Sequence, residues 1–169
     1  MTNKSYGSKK TQTVVLMALY AALVATVTLF TSVHYSAGGY FNLGDIVVML
    51  LGALVPVQQA LVAVSIGSMV ADILAGAIHY SVFTGIIKAG MVLCIYMFRK
   101  TLTKKTYFIP FILGSLIMLV GYGLVDGFIL GGYSFVVSVS LNSVQALVGA
   151  VVTTIIYPHT KKLYTYLKG

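Results

Sequence analysis

Long apolar runs separated by short polar or glycine-rich stretches make up almost the whole chain. The runs cover residues 13–33, 45–55, 60–75, 81–98, 107–130 and 135–157. A helix needs about 20 apolar residues to cross the hydrocarbon core of a bilayer, so most of the runs are long enough or nearly so, and residues 45–55 are too few to cross it comfortably. The pattern predicts an all-α membrane protein with six transmembrane helices.

Composition strengthens this prediction. Of the 169 residues, 59% are hydrophobic and only 8% are charged, whereas a soluble domain carries about 25% charged residues. Such a chain cannot cover a water-facing surface. We therefore predict a single integral-membrane domain over residues 1–169.

Basic residues determine the predicted orientation. Ten of the eleven lie in three clusters, within residues 4–10, 99–105 and 161–168, and the net charge is +8. All three clusters fall on the same side of a six-helix chain, which the positive-inside rule assigns to the cytoplasm. Residues 1–12 and 161–169 are thus predicted to be cytoplasmic segments. The clusters form no continuous basic face, which argues against a nucleic-acid partner.

Polar side chains within the predicted helices lie near the outer side of the membrane. With a rise of 1.5 Å per residue, Asp72, Lys88 and Asp126 lie about 6 to 10 Å below the outer helix ends. Asn142 lies at a similar depth, and Gln145 lies one turn deeper on the same helix face. Ionisable groups inside a membrane are costly, so these residues are candidates for binding a solute.

Aromatic and polar residues of the outer loops and helix ends are expected around this layer. They include His34, Tyr40, Asn42, His79, Tyr122 and Tyr133. Aromatic rings supply stacking faces, and their hydroxyls supply hydrogen bonds. The combination suits a small, flat, polar molecule, with residues 34–42 as a lid over the site.

Several of these residues also have a structural interpretation. An ion pair between Asp72 and Lys88 would offset the desolvation of both groups and is as well supported as ligand contact. Asp45 fits best as the N-cap of the second helix. The tyrosines suit an interfacial belt as readily as a binding site. No cationic partner is evident for Asp126 or Asn142, which favours ligand contact there.

Helix 1 carries small residues at four-residue spacing: Ala18 and Ala22, with Ala21 and Ala25 beside them. Small residues let a second helix approach closely, so this face is a candidate for contact with a partner.

Four short segments together resemble the substrate-binding S components of energy-coupling factor (ECF) vitamin transporters. They are Phe-Asn-Leu-Gly-Asp at 41–45, Gly-Ser-Met-Val-Ala-Asp at 67–72, Ile-Ile-Lys-Ala-Gly at 86–90 and Asn-Ser-Val-Gln at 142–145. The likeness extends over nearly the whole chain and is closest to the riboflavin-type superfamily, among its hydroxymethylpyrimidine and pyridoxine members.

The resemblance implies a substrate-binding subunit that is not an enzyme and that lies in the cytoplasmic membrane of a bacterial cell. Its partners would be a transmembrane coupling subunit, contacted through Ala18, Ala21, Ala22 and Ala25, and two cytoplasmic ATPases. A vitamin would bind near the outer face. Pyridoxine or hydroxymethylpyrimidine is favoured, and riboflavin and pantothenate stay open. Members that carry cobalt or nickel use an N-terminal histidine, which Met1-Thr2-Asn3 lacks, so a metal substrate is not expected. No cofactor is expected either.

One alternative comes from another class of transporter. Asp72, Lys88 and Asp126 could serve as the relay of a stand-alone proton-coupled carrier, although the inner half of the predicted bundle offers no continuing polar path. A membrane-embedded enzyme has the least support, because no acid–base or nucleophile constellation has suitable spacing. The sequence also lacks the phosphate-binding loop G-x-x-x-x-G-K-[ST].

Overall fold

The computed structural model describes the backbone of residues 3–34, 40–102, 105–130 and 132–168, and the side chains within 9–34, 40–102, 105–128 and 135–167. Six α-helices account for most of this chain, as predicted. They are α1 Asn3–Phe30, α2 Gly44–Leu54, α3 Val57–Leu74, α4 Ser81–Met97, α5 Ile109–Leu130 and α6 Gly132–Lys168. Short 3-10 helices, Ile78–Tyr80 and Arg99–Thr101, precede and follow α4.

Five helical segments of the described chain are long and apolar enough to cross a membrane. They are Lys9–Phe30, Val57–Leu74, Ile78–Met97, Ile109–Phe128 and Phe135–Leu167. Helix α2 has 11 residues, which gives it a length of about 16 Å. It is therefore shorter than the hydrocarbon core of about 30 Å.

The last helix is longer than the apolar pattern predicted. Residues 132–134, which lie between two of the apolar runs, are already helical, and the helix continues through Pro158 to Lys168 instead of ending with the apolar run at Tyr157. Pro158 lacks the N–H that would bond to the carbonyl of Thr154, four residues earlier, and the helix continues on both sides of this one missing bond. Hydropathy therefore located the apolar span but not the ends of the helix.

The predicted loop after α1 contains a small β-hairpin. Strands β1, Val33–His34, and β2, Tyr40–Phe41, are antiparallel, with Val33 opposite Phe41 and His34 opposite Tyr40. Strands of two residues are too short to give an alternating hydropathy pattern, so the sequence did not predict them.

Successive helices run in opposite directions, which brings the end of α1, α3 and α5 and the start of α2, α4 and α6 to one end of the bundle. We call this the pocket end. Away from it the helices bury an apolar core centred on Met49, Met91, Ile95 and Phe111, each 0% exposed. Polar side chains with functional potential therefore gather at a single end.

Helix α1 packs closely on α3 at a glycine. A Cβ added to Gly67 would lie 2.5 Å from the backbone oxygen of Ala21. Ala25 is also buried in the bundle, whereas Ala18 and Ala22 are exposed. The four alanines expected to share one partner surface therefore point in two directions, and only Ala18 and Ala22 remain open to another protein.

Candidate substrate-binding pocket

A pocket at the pocket end receives residues from all six helices. Its empty volume is about 560 Å³, including the open space at its mouth. The lining residues are Thr28, Tyr40, Asn42, Gly44, Val48, Ser68, Asp72, Tyr80, Thr84, Lys88, Tyr122, Asp126, Asn142 and Gln145. Polar groups that are far apart in the sequence thus share one concave site, which is the usual form of a small-molecule site.

Most of the residues proposed from the sequence lie in this wall. They are Tyr40, Asn42, Asp72, Lys88, Tyr122, Asp126, Asn142 and Gln145. His34 and His79 are exposed and do not line it: Nε2 of His34 lies 3.3 Å from the Ala75 carbonyl oxygen, and the His79 ring packs against Tyr80. The side chain of Tyr133 lies outside the described residues.

Asp45 is a buried ion-pair partner, so its interpretation as an N-cap is wrong. It lies inside α2, where its Oδ1 pairs with Nζ of Lys88. Its Oδ2 accepts a hydrogen bond of 2.6 Å from Nε2 of Gln145. The first N–H of the helix, that of Gly44, donates instead to Oδ1 of Asn42 at 2.9 Å. The lone intramembrane lysine could have suggested this partner, since a buried ammonium requires a counter-ion.

Asp72 does not form the ion pair with Lys88 that was considered from the sequence. Its Oδ1 accepts a hydrogen bond from the hydroxyl of Tyr40. Its Oδ2 is buried and has no hydrogen-bond partner within the described part of the chain. A buried acceptor without a donor is costly unless a ligand or water supplies one.

Tyr40 joins the hairpin to the pocket wall as a hydrogen-bond donor. Burial raises the pKa of Tyr40 well above its ordinary value, and the negative charge of Asp72 raises it further. The hydroxyl therefore keeps its proton at physiological pH. The ring of His34 packs against that of Tyr40 with their centroids 5.4 Å apart, so His34 supports the outer side of this contact.

The opposite wall is formed by α5 and α6. Oδ1 of Asp126 accepts a hydrogen bond of 2.5 Å from the Tyr80 hydroxyl. Nδ2 of Asn142 donates to Ser138 at 3.0 Å, and Tyr122 presents its ring to the ammonium of Lys88 at 5.3 Å. The wall combines a carboxyl, an amide and aromatic rings, which can hold a flat molecule through stacking and hydrogen bonds.

Some lining residues were not singled out by the sequence pattern, among them Thr28, Ser68 and Thr84. Two of them had a usable signal. Ser68 lies four residues before Asp72, and Thr84 lies four residues before Lys88, so each shares a helix face with a candidate. Hydroxyl residues are common on membrane helices. Such a residue becomes a candidate for the pocket only when it lies on the same helix face as an ionisable residue.

Comparison with known proteins agrees with this architecture. The profile of the family described as ECF-type riboflavin transporter, S component, matches residues 8–164. A similar curated protein is the thiamine precursor transporter HmpT of Lactococcus lactis subsp. cremoris (strain MG1363), which is 28% identical over 157 residues, covering 92% of this chain and 91% of the relative. Because the family profile spans nearly the whole sequence, the chain belongs to the ECF-type riboflavin transporter S-component family, whose members are integral proteins of the cytoplasmic membrane.

Proposed function

We propose that this S component captures a small vitamin precursor from outside the cell, with hydroxymethylpyrimidine favoured and pyridoxine next. The observation that carries the proposal is the carboxyl of Asp72, which lines an aromatic-walled pocket and whose buried Oδ2 has no hydrogen-bond donor among the described residues. The similarity to a thiamine precursor transporter points in the same direction, because hydroxymethylpyrimidine is the pyrimidine portion of thiamine.

The chemistry of the ligand matches the groups in the wall. Hydroxymethylpyrimidine has an amino group and a hydroxymethyl group, both donors, on a flat aromatic ring. Asp72 and Asp126 supply acceptors, and Tyr122 supplies a stacking face. We assign further polar contacts to Asn142 and Gln145. We keep residues 34–42 as the lid, of which residues 35–39 lie outside the described chain, and its Tyr40 reaches Asp72. Tyr133 stays a candidate for ligand contact.

In our topology the chain is one membrane domain with all six helices crossing and both termini in the cytoplasm. Alternating helix directions support this arrangement. The guanidinium of Arg99 donates a 3.1 Å hydrogen bond to the Ala53 carbonyl, so the end of α2 lies beside the basic cluster after α4. Helix α2 then crosses as a short element enclosed by its neighbours. Residues 1–12 and 161–169 are the cytoplasmic segments.

We assign the partners as a transmembrane coupling subunit and two cytoplasmic ATPases, which would supply the energy for uptake. The exposed Ala18 and Ala22 provide a shallow helix surface for the coupling subunit. Ala21 and Ala25 are engaged inside the bundle, and we no longer assign them to this contact. The chain itself acts as a binding subunit and not as an enzyme.

Calorimetric titration of the purified protein tests the proposal. Hydroxymethylpyrimidine, pyridoxine, riboflavin and pantothenate are titrated separately, and we expect one of the first two to bind most tightly. Asp126→Asn replaces a carboxylate oxygen acceptor by an amide N–H donor, and Asn142→Ala removes the amide. Each change is expected to cost about 1 to 3 kcal/mol, or about fivefold to 150-fold in affinity.

Ser140→Ala is the matched control, because Ser140 is exposed on the same helix as Asn142. It is expected to bind like the original protein. The proposed function fails if none of the vitamins binds. The assignment of the pocket fails if both pocket variants bind as tightly as the control.

A further inference from the structure

Lys88 is the one basic side chain among the described residues that line the pocket, and it is already paired. We infer that the ion pair with Asp45 keeps the ammonium of Lys88 from binding the ligand. The pocket therefore accepts neutral or cationic rings that carry hydrogen-bond donors and rejects carboxylates. The inference deepens the proposed function and rests on it. It makes Asp45 a positioning residue, which determines ligand specificity through Lys88 without contacting the ligand.

Both oxygens of Asp45 already have partners inside the protein, and its burial keeps it away from a ligand. Oδ1 is used by Lys88 and Oδ2 by Gln145, and the residue is 1% exposed. Gln145 is fixed at its other end, because its Oε1 accepts a 2.9 Å hydrogen bond from the backbone N–H of Asn42. The ammonium of Lys88 is therefore held by a carboxylate that is itself fixed by its neighbours.

The remaining charged groups of the pocket are acidic. Asp72 and Asp126 both line it, and no second ammonium or guanidinium does so within the described wall. A ligand carboxylate would enter beside two carboxyl groups, and like charges a few ångströms apart repel strongly when partly desolvated. A ligand N–H or O–H group, by contrast, would give Oδ2 of Asp72 the donor it lacks.

This charge arrangement separates the candidate vitamins. Hydroxymethylpyrimidine, pyridoxine and riboflavin have no carboxylate and carry hydroxyl or N–H donors. Pantothenate is a carboxylate at neutral pH. The inference thus allows three of the four and excludes pantothenate.

Two pairs of compounds separate the effect of ligand charge on affinity from the effect of ligand shape. The first pair is hydroxymethylpyrimidine and 4-amino-2-methylpyrimidine-5-carboxylate; the second is pyridoxine and 4-pyridoxate. In each, a carboxylate replaces a hydroxymethyl group on the same ring. Calorimetry measures the affinity of both members of each pair. In the pair whose alcohol binds, we expect the alcohol to bind at least about tenfold more tightly than the carboxylate, a difference of about 1.4 kcal/mol.

Variants of the ion pair then test the role of Asp45. Asp45→Asn releases the ammonium of Lys88. It is expected to reduce the ratio of alcohol affinity to carboxylate affinity at least about threefold. The double variant Asp45→Asn/Lys88→Met carries neither charge and is expected to restore the preference. It also avoids an unpaired buried charge, so it provides a folded test protein if the single variant unfolds. A purely structural role for Asp45 would change both affinities of a pair without changing their ratio.

The outcomes are distinguishable. Binding of the carboxylate as tightly as the alcohol by the original protein would overturn the charge inference and leave vitamin binding intact. Loss of alcohol binding by the double variant, at unchanged thermal stability, would also overturn it, because Lys88 would then be a ligand contact. Absence of binding by every vitamin would instead overturn the proposed function, and this inference with it.

Discussion

The close approach of α1 and α3 gives the clearest quantitative prediction. In Gly67→Ala the new Cβ would lie 2.5 Å from the backbone oxygen of Ala21 and 3.0 Å from Cβ of Val24. Real Cβ atoms essentially never come within 3.0 Å of such an atom. Neither obstacle is the end of a flexible side chain, so α1 must move away from α3.

Two opposing effects set the size of the change. Overfilling a packed contact costs about 1 to 3 kcal/mol. Replacing glycine by alanine within a helix contributes about 1 kcal/mol of stability. The control Gly90→Ala has the same helical benefit, but its Cβ would meet Ile117 at an ordinary 3.4 Å. The two variants should therefore differ by the packing cost, about 1 to 3 kcal/mol in favour of Gly90→Ala.

Thermal unfolding of both variants in one detergent measures this difference. For a chain of this length, 1 kcal/mol corresponds to about 2 to 4 °C, so Tm of Gly67→Ala should lie about 2 to 12 °C below that of Gly90→Ala. Thr28 of α1 and Ser68 of α3 both line the pocket, so Gly67→Ala should also weaken vitamin binding. Equal Tm values for the two variants would refute the close contact between the helices.

Three further predictions concern the pocket and the exposed face of α1. Tyr80→Phe removes a donor from the Asp126 carboxyl and should lower the free energy of unfolding by about 1.5 to 3 kcal/mol, as measured by thermal unfolding; an unchanged Tm would contradict this contact. Ala22→Leu places a large side chain on an exposed surface and should reduce uptake by the assembled transporter while vitamin binding by the isolated chain stays unchanged; unaltered uptake would argue against the coupling surface. The pKa of Tyr40 is raised, so its stabilising contribution is fully present below the ordinary tyrosine pKa of about 10 and is lost only as pH rises through the higher folded value. Phenolate absorbance of the protein and of Tyr40→Phe should therefore rise in parallel up to about pH 11, and an additional step in the original protein would refute the burial of this hydroxyl.

Hydropathy and the distribution of charge predicted much of the helical framework. The start of α4 at Ser81 and the end of α5 at Leu130 agree with the sequence pattern. The pattern misplaced the ends of α6, because helical backbone geometry can continue through Pro158 and beyond the apolar residues. It missed the hairpin, since pairing of His34 with Tyr40 depends on chain reversal and not on local hydropathy.

The sequence by itself determined that costly polar residues lie near one end of an apolar bundle, because their depth follows from their distance to the helix ends. It could not determine which of them pair. Lys88 had three acids available, and only the packing of α2 against α4 selected Asp45. That selection leaves Asp72, which lines the pocket, with a buried oxygen that has no hydrogen-bond partner among the described residues. Partner choice depends on rotation and distance between helices, which the one-dimensional pattern does not contain, so the chemistry of the site was decided by the tertiary structure.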